Sequence, residues 1–286
     1  MQAMVINQFG TAKVLTLAER PQPEISATQV LVKVHAFSID TLDLQLRTGQ
    51  LTQQVPPTFP LALGWDLAGT IVAVGNAVTD FLVADAVLAH LPLATPGAAA
   101  EYVAVEAADL AYKPDNIDFH SAAALPTAGL TAWQTIVTHL AVEKAQQVLI
   151  ADLTSCAGQL AAQLAAGIGA KVTAIAADTT STTAYTLVSA ATAAQQHYDA
   201  VLDLTAEPLT TAELAPAGHY LATQQGFTVQ ANGTELQHLV DLLSHNKLQL
   251  TLSRCLPFSE LSLITAHRLL EAGNTQGKIV IEVIAD

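Results

Sequence analysis

The first third of the chain alternates or runs apolar in short stretches rich in Val and Ile. MVINQFG, VLTLAE, QVLVKVHAFSI and AGTIVAVG read as strands, and FLVADAVLAHL and AEYVAVEAADL continue the series. Pro21, Pro23, Pro56, Pro57 and Pro60 break the series, with Gly49, Gly64 and Gly69 close by. So many short strands divided by turn residues predict a barrel-like β-domain. After Pro114 the period changes. DFHSAAALPTAGLTAWQTIVTHL carries apolar residues at helical spacing, with Asp118 placed to cap it. QQVLIA then predicts a buried strand, GQLAAQLAAGIGA a helix and AKVTAIAA a second strand. That β-α-β order belongs in a parallel sheet covered on both faces. YDAVLDLTA, HYLATQQ and LQLTLSRCL read as the third, fourth and fifth strands of that sheet. TELQHLVDLLSHN and SELSLITAHRLLEAG have the pattern of amphipathic helices, and GKIVIEVIAD that of a closing strand. The nearest thing to a polar loop is TTSTTAY (179–185), and no internal repeat is visible.

Composition narrows the classes of function. A chain of 286 residues has room for two domains. Apolar residues make up 51% and charged residues 13%, which excludes general disorder. Acids outnumber Lys and Arg by 25 to 11, a net charge of −14. Phosphate backbones and anionic lipid repel such a chain, so neither nucleic acid nor a membrane surface is an expected partner. Two cysteines, Cys156 and Cys255, build neither a disulfide framework nor a four-cysteine zinc site, and they fit a reducing, cytoplasmic setting. MQAMVINQFG has no basic region followed by a long apolar run, so no signal peptide is expected. Leu153 to Ala170 is Ala-rich with Thr154, Ser155, Gln159 and Gln163, and reads as a buried helix rather than a membrane span.

Several segments carry a family likeness. They are MQAMVINQFG, VLVKVHAFSID, Asp43 with Arg47 and Gly49, LGWDLAGTIVAVG, AEYVAV, AALPTAGLTAWQ, the strand–turn–helix–GAKV order and HRLLEAGNTQGKIVIEV. In this order and spacing the chain resembles the zinc-independent quinone oxidoreductase branch of the medium-chain dehydrogenase/reductase family, over nearly its whole length. The resemblance implies an α/β fold. A GroES-like β-barrel domain would span residues 1–117 with 253–286. A Rossmann domain, a doubly wound parallel sheet, would be inserted at 118–252. It further implies an active site in the cleft, a homodimer, and NADPH or NADH as cofactor, NADPH being usual in the branch.

A Rossmann turn needs glycines so that the backbone can approach a pyrophosphate at a helix N-terminus. Here VLIA leads into Asp152-Leu153-Thr154-Ser155-Cys156-Ala157-Gly158. Only Gly158 matches the family's Gly-rich turn, and Asp152 and Cys156 stand where glycine is expected. Thr154 and Ser155 are candidates to donate hydrogen bonds to phosphate; the competing reading is a plain βα connection. Asp178 falls near the position of a ribose-binding acid, or is a solvated loop residue. No Lys or Arg occurs between Lys171 and Lys247, so a 2′-phosphate finds no strong cationic partner there. About 20 residues separate Asp178 from Tyr198, where the family has room for a further helix and strand, so this half of the sheet is expected to be short.

Metal and acceptor chemistry are read from the first domain. The zinc places of the alcohol dehydrogenase branch hold Ser38 and Gly64-Trp65-Asp66, and no HxH or HxxxH pair occurs among the nine histidines. No zinc is expected, and His35, His120, His219 and His267 read as structural. Hydride transfer asks little of side chains beyond orientation, exclusion of water and a donor near the acceptor oxygen. By resemblance the candidates are Asp40, Thr127 and Thr131, with Ser38 as a donor to a carbonyl or to backbone. Asp40 competes with a role as helix cap, and Trp65 is either a pocket wall or core. The leading expectation is an NAD(P)H-dependent reductase of a hydrophobic quinone or α,β-unsaturated carbonyl. A pseudoenzyme that has lost its dinucleotide, and an NAD-preferring reductase using Asp178, are the alternatives.

Overall fold

The computed structural model describes residues 1–56, 58–175, 185–205, 209, 218–273 and 275–284. The chain forms two units. The first comprises Met1–Thr127, Gln230–Ser244 and Leu250–Asp286, and the second Ala128–Val229 with His245–Gln249.

The first unit is mainly antiparallel. Its strands are β1 (Gln2–Ile6), β2 (Leu15–Glu19), β3 (Gln29–Ile39), β4 (Leu61–Ala62), β5 (Asp66–Val74), β6 (Ala86–His90), β7 (Tyr102–Glu106) and β8 (Leu110–Tyr112). Helix α1 (Thr41–Thr48) follows β3, and α2 (Phe119–Ala124) follows β8. A small sheet runs β2-β1-β4. Strand β3 is buried along most of its length because it pairs with β5 and, over different spans, with β7 and with the chain's last strand. Trp65, Phe37, Met4, Leu67 and Ile71 fill the core between the sheets. Gly64, at φ +89°, turns the chain into β5, and a Cβ there would lie 2.7 Å from the Ala99 nitrogen.

The apolar helical stretch after Asp118 is not one helix. Asp118 caps α2 by accepting from the Ser121 N–H, as expected. Pro126 then lacks the N–H that an uninterrupted helix needs, and it opens α3 (Pro126–Trp133), which continues as a π-helical turn over Gln134–His139.

Among the described residues the second unit is a Rossmann-type sheet of five parallel strands. They are β9 (Gln147–Ala151), β10 (Lys171–Ile175), β11 (Thr186–Val188), β12 (Ala200–Asp203) and β13 (His219–Ala222), in the order β11-β10-β9-β12-β13. Helix α4 (Cys156–Ile168) links β9 to β10 and ends at Gly169, φ +93°. The one-turn α5 (Ala190–Ala193) follows β11. On the side expected to be short, between Asp178 and Tyr198, β11 has three residues and α5 four. Asp178 itself and residues 179–184 of the polar loop lie outside the described residues.

The chain returns to the first unit with α6 (Gly233–Ser244), β14 (Leu252–Pro257), α7 (Glu260–Glu271) and β15 (Lys278–Glu282). LQLTLSRCL is therefore not a fifth strand of the Rossmann sheet. Its β14 pairs in parallel with β15, whose other edge joins β3, in the sheet order β14-β15-β3-β5-β6-β8. The segment alternates apolar and polar residues, the pattern of a half-buried strand, and its partner is the closing strand. FLVADAVLAHL is likewise a strand only from Ala86. Ala84 has φ +79°, and Leu82 and Val83 are exposed at the turn.

Candidate active site

Strand register assembles the first group of functional residues. Ser38 on β3 lies opposite Asp66 on β5, and Asp66 lies opposite His90 on β6. On the other side of β3, Val280 pairs with Ser38 and Ile279 with Ile39, so Lys278 arrives beside Asp40. Residues far apart in sequence meet because four adjacent strands, β15, β3, β5 and β6, are held in register.

Asp66 is the hub, and it is buried. Its Oδ1 accepts from the Thr127 N–H (3.0 Å), the Thr127 hydroxyl (2.6 Å) and His90 Nδ1 (2.9 Å). Its Oδ2 accepts from the Ser38 hydroxyl (3.0 Å) and Lys278 Nζ (3.2 Å). Burial pushes the Asp66 carboxyl up. The Lys278 ammonium, the His90 contact and the Thr127 hydrogen bond more than offset this, so the group is held well below the usual carboxylate range. A buried carboxylate is tolerated only with such complete pairing. His90 Nε2 has no hydrogen-bond partner among the described residues, which fits the tautomer carrying its hydrogen on Nδ1 toward Asp66.

Lys278 also reaches Asp40, Nζ to Oδ2 at 2.8 Å. Asp40 caps α1: its Oδ1 accepts from the Leu42 N–H, and its own N–H donates to Asp43 Oδ2 at 3.0 Å. Of the two readings open for Asp40, the cap is therefore realised, with the ion pair to Lys278 added. Burial and the neighbouring Asp40 charge raise the Asp43 carboxyl well above its usual range. Trp65 is core: it is 2% exposed, and its indole N–H donates to the Leu93 carbonyl at 3.2 Å.

The second group stands at the C-terminal end of β9. Asp152 has φ +78°, the conformation for which glycine was expected at that position. Its Oδ1 accepts from the N–H (2.8 Å) and the hydroxyl of Thr154. Ser155 caps α4 by accepting from the Gly158 N–H at 3.1 Å. A Cβ on Gly158 would lie 1.9 Å from the Asp152 carbonyl oxygen, so the turn and the helix pack this closely only with glycine. Cys156 is buried in the first turn of α4, followed by Ala157. Both hydroxyls offered by the sequence as phosphate donors are thus engaged in shaping the turn. Thr131 lies on α3, and its carbonyl accepts from the Thr135 hydroxyl at 2.7 Å.

Within the first unit the structure therefore unites Ser38, Asp40 and Thr127 around Asp66. Thr154, Ser155, Cys156, Ala157 and Gly158 form a separate group in the second. His90 and Lys278 were missed by sequence reasoning. A signal for Lys278 existed: it is a lone cation opening an apolar strand in a chain with few cations. His90 carried no such signal.

These residues do not fit a catalytic zinc. Ser38 gives its hydroxyl to Asp66, Trp65 has no lone pair to offer, and the Asp66 oxygens already accept five donors, one of them an ammonium. Among the described residues no group of three or more His, Cys, Asp or Glu is placed to hold a metal. No helix among them is long and apolar enough to cross a membrane.

Comparison with known proteins decides the family. Residues 26–115 match the alcohol dehydrogenase GroES-like domain, and residues 168–281 match the zinc-binding dehydrogenase model. An NADPH-dependent alkenal/one oxidoreductase of Arabidopsis thaliana chloroplasts is 31% identical over 310 aligned positions, covering 98% of this chain and 79% of that one. The chain belongs to the quinone oxidoreductase-like group of the medium-chain dehydrogenase/reductase family. A 2-methylene-furan-3-one reductase of Solanum lycopersicum is 28% identical over 312 positions, covering 99% of this chain and 79% of that one. The quinone oxidoreductase structure from Coxiella burnetii superimposes with a TM-score of 0.85 at 30% identity, covering 99% of each chain. For this family member the fold expectation therefore holds: a GroES-like domain and a Rossmann-type domain.

Proposed function

We propose that this protein reduces a small quinone or α,β-unsaturated carbonyl with a hydride from NADH or NADPH. The observation that carries the reading is the end-to-end likeness to an alkenal/one oxidoreductase, over 98% of this chain. The parallel sheet, the tight β9–α4 turn and Gly158 fit a dinucleotide whose pyrophosphate lies against the first turn of α4. Backbone N–H groups of that turn, Ala157 among them, would meet the phosphates, since the Thr154 and Ser155 hydroxyls are engaged.

The cofactor, when bound, supplies the hydride. The chain must orient the acceptor, exclude water and offset charge. Hydride addition at the β-carbon of an enone drives an electron pair onto the carbonyl oxygen, and a proton from solvent completes the product. The negative charge at that oxygen calls for a nearby cation or donor. Lys278 is the cation of the buried network in the first unit, but its ammonium is bonded to Asp40 and Asp66, so we assign it a positioning role rather than direct charge stabilisation. Asp40 and Asp66 fix its position, while Ser38 and Thr127 orient Asp66. Asp40 and Ser38 are thus positioning residues, and Trp65 anchors the strand start that carries Asp66.

The test is a steady-state comparison of the unaltered chain with Lys278→Gln. The reading predicts a fall in kcat with little change in KM for the dinucleotide. An unchanged kcat in a folded variant would remove Lys278 from the mechanism. A homodimer belongs to the same proposal and is read by sedimentation equilibrium.

A further inference from the structure

We infer that the cofactor is NADH rather than NADPH; the inference rests on the reading above that a nicotinamide dinucleotide binds the second unit. Choice between the two turns on one group, the 2′-phosphate, a dianion that sites pair with Arg or Lys. The second unit contains no Arg and three lysines, Lys144, Lys171 and Lys247. In an open parallel sheet, ligands bind at the carboxyl ends of the strands. Lys171 is the first residue of β10 and so stands at the opposite end. Lys144 precedes β9, and its side chain is the nearest neighbour of Gly169, where α4 gives way to β10. It too is at the amino ends. Lys247 is exposed in the 245–249 segment, which is tied to the middle of α4 through Gln249 and Gln163 (2.7 and 3.0 Å).

The carboxyl ends carry the opposite charge. Asp152 follows β9, and Asp203 ends β12. Asp203 is buried and accepts from Thr205, the Leu209 N–H and the Tyr220 hydroxyl, with no cation among these partners. The sequence from Ala176 to Tyr198 carries one acid, Asp178, and no Lys or Arg. A second phosphate at this edge adds negative charge where Asp152 and the buried Asp203 already place it, whereas a free ribose hydroxyl does not.

The experiment is calorimetric titration of the full chain with NADH and, separately, NADPH at low and at high salt. NADH is expected to bind at least tenfold more tightly at low salt. The gap is expected to narrow at high salt, because screening relieves a charge repulsion but not a steric clash. Equal or tighter binding of NADPH would overturn this inference and leave the reductase reading intact. A gap that salt does not change would overturn its electrostatic basis. Binding of neither dinucleotide would overturn both readings.

Discussion

Asp66 has to stay a carboxylate with almost no water around it. It does so because five donors converge on its two oxygens, and Lys278 is the one that brings a full positive charge. Lys278→Met leaves that carboxylate buried without its ammonium, and breaking such a pair destabilises by about 3–5 kcal/mol. Urea unfolding measures this, and adding Asp66→Asn to the same variant is expected to recover part of the loss. The pH sign follows from the lowered Asp66 value. Its contribution is present above the unfolded carboxylate value of about 3.9 and disappears as pH falls through the folded value below it. Removing Lys278 therefore moves acid sensitivity to higher pH. Ser38, Asp40, Trp65 and Thr127 were legible in the sequence because they sit inside recognisable segments. What each one touches was not. Asp40 as a cap with a lysine behind it depends on where β15 lands, and no local pattern states that.

Helices α1 and α7 meet through polar residues that burial would ordinarily forbid. Arg47, fully buried on α1, donates to Glu271 on α7. His267, one turn before Glu271, is pushed down to about 3 by burial and by the Arg47 charge. Being depressed, it contributes stability above 6.5 that is lost progressively as pH falls toward about 3. His267→Gln is expected to flatten the decline in melting temperature between about pH 6 and about pH 4. Asp43 has the opposite sign. Its raised value favours the fold below the ordinary carboxylate range, and that advantage is lost as pH rises through the folded value. At the β9–α4 junction, Asp152→Gly keeps the left-handed turn and removes a carboxylate, so dinucleotide affinity should rise several-fold; an unchanged Kd would show that Asp152 does not limit binding. Element boundaries were legible where a cap or a glycine marks them, as at Asp118 and Gly169. They failed where tertiary pairing decides, as for β14, which looks like a Rossmann strand until β15 is seen beside it.

On the scale of the whole molecule, two units divide the work. One builds a buried network of paired charges by strand register, the other a parallel sheet with a glycine-tight turn at its carboxyl edge. The order of motifs along the chain made this architecture legible even though the turn has a single matching glycine, because the sheet needs apolar strands and close packing at Gly158 more than it needs a full fingerprint. The strong acidity was legible too, but that Asp152 and Asp203 stand at strand ends required the fold. The direct measurement is oxidation of NADH by the purified chain with a quinone, an α,β-unsaturated ketone and a saturated ketone, with analysis of the products. Saturable turnover is expected with the first two, with reduction of the enone at its carbon–carbon double bond and the carbonyl retained, and none with the saturated ketone. A protein that binds the dinucleotide yet oxidises it with no quinone or enone would rule out acceptor-dependent hydride transfer.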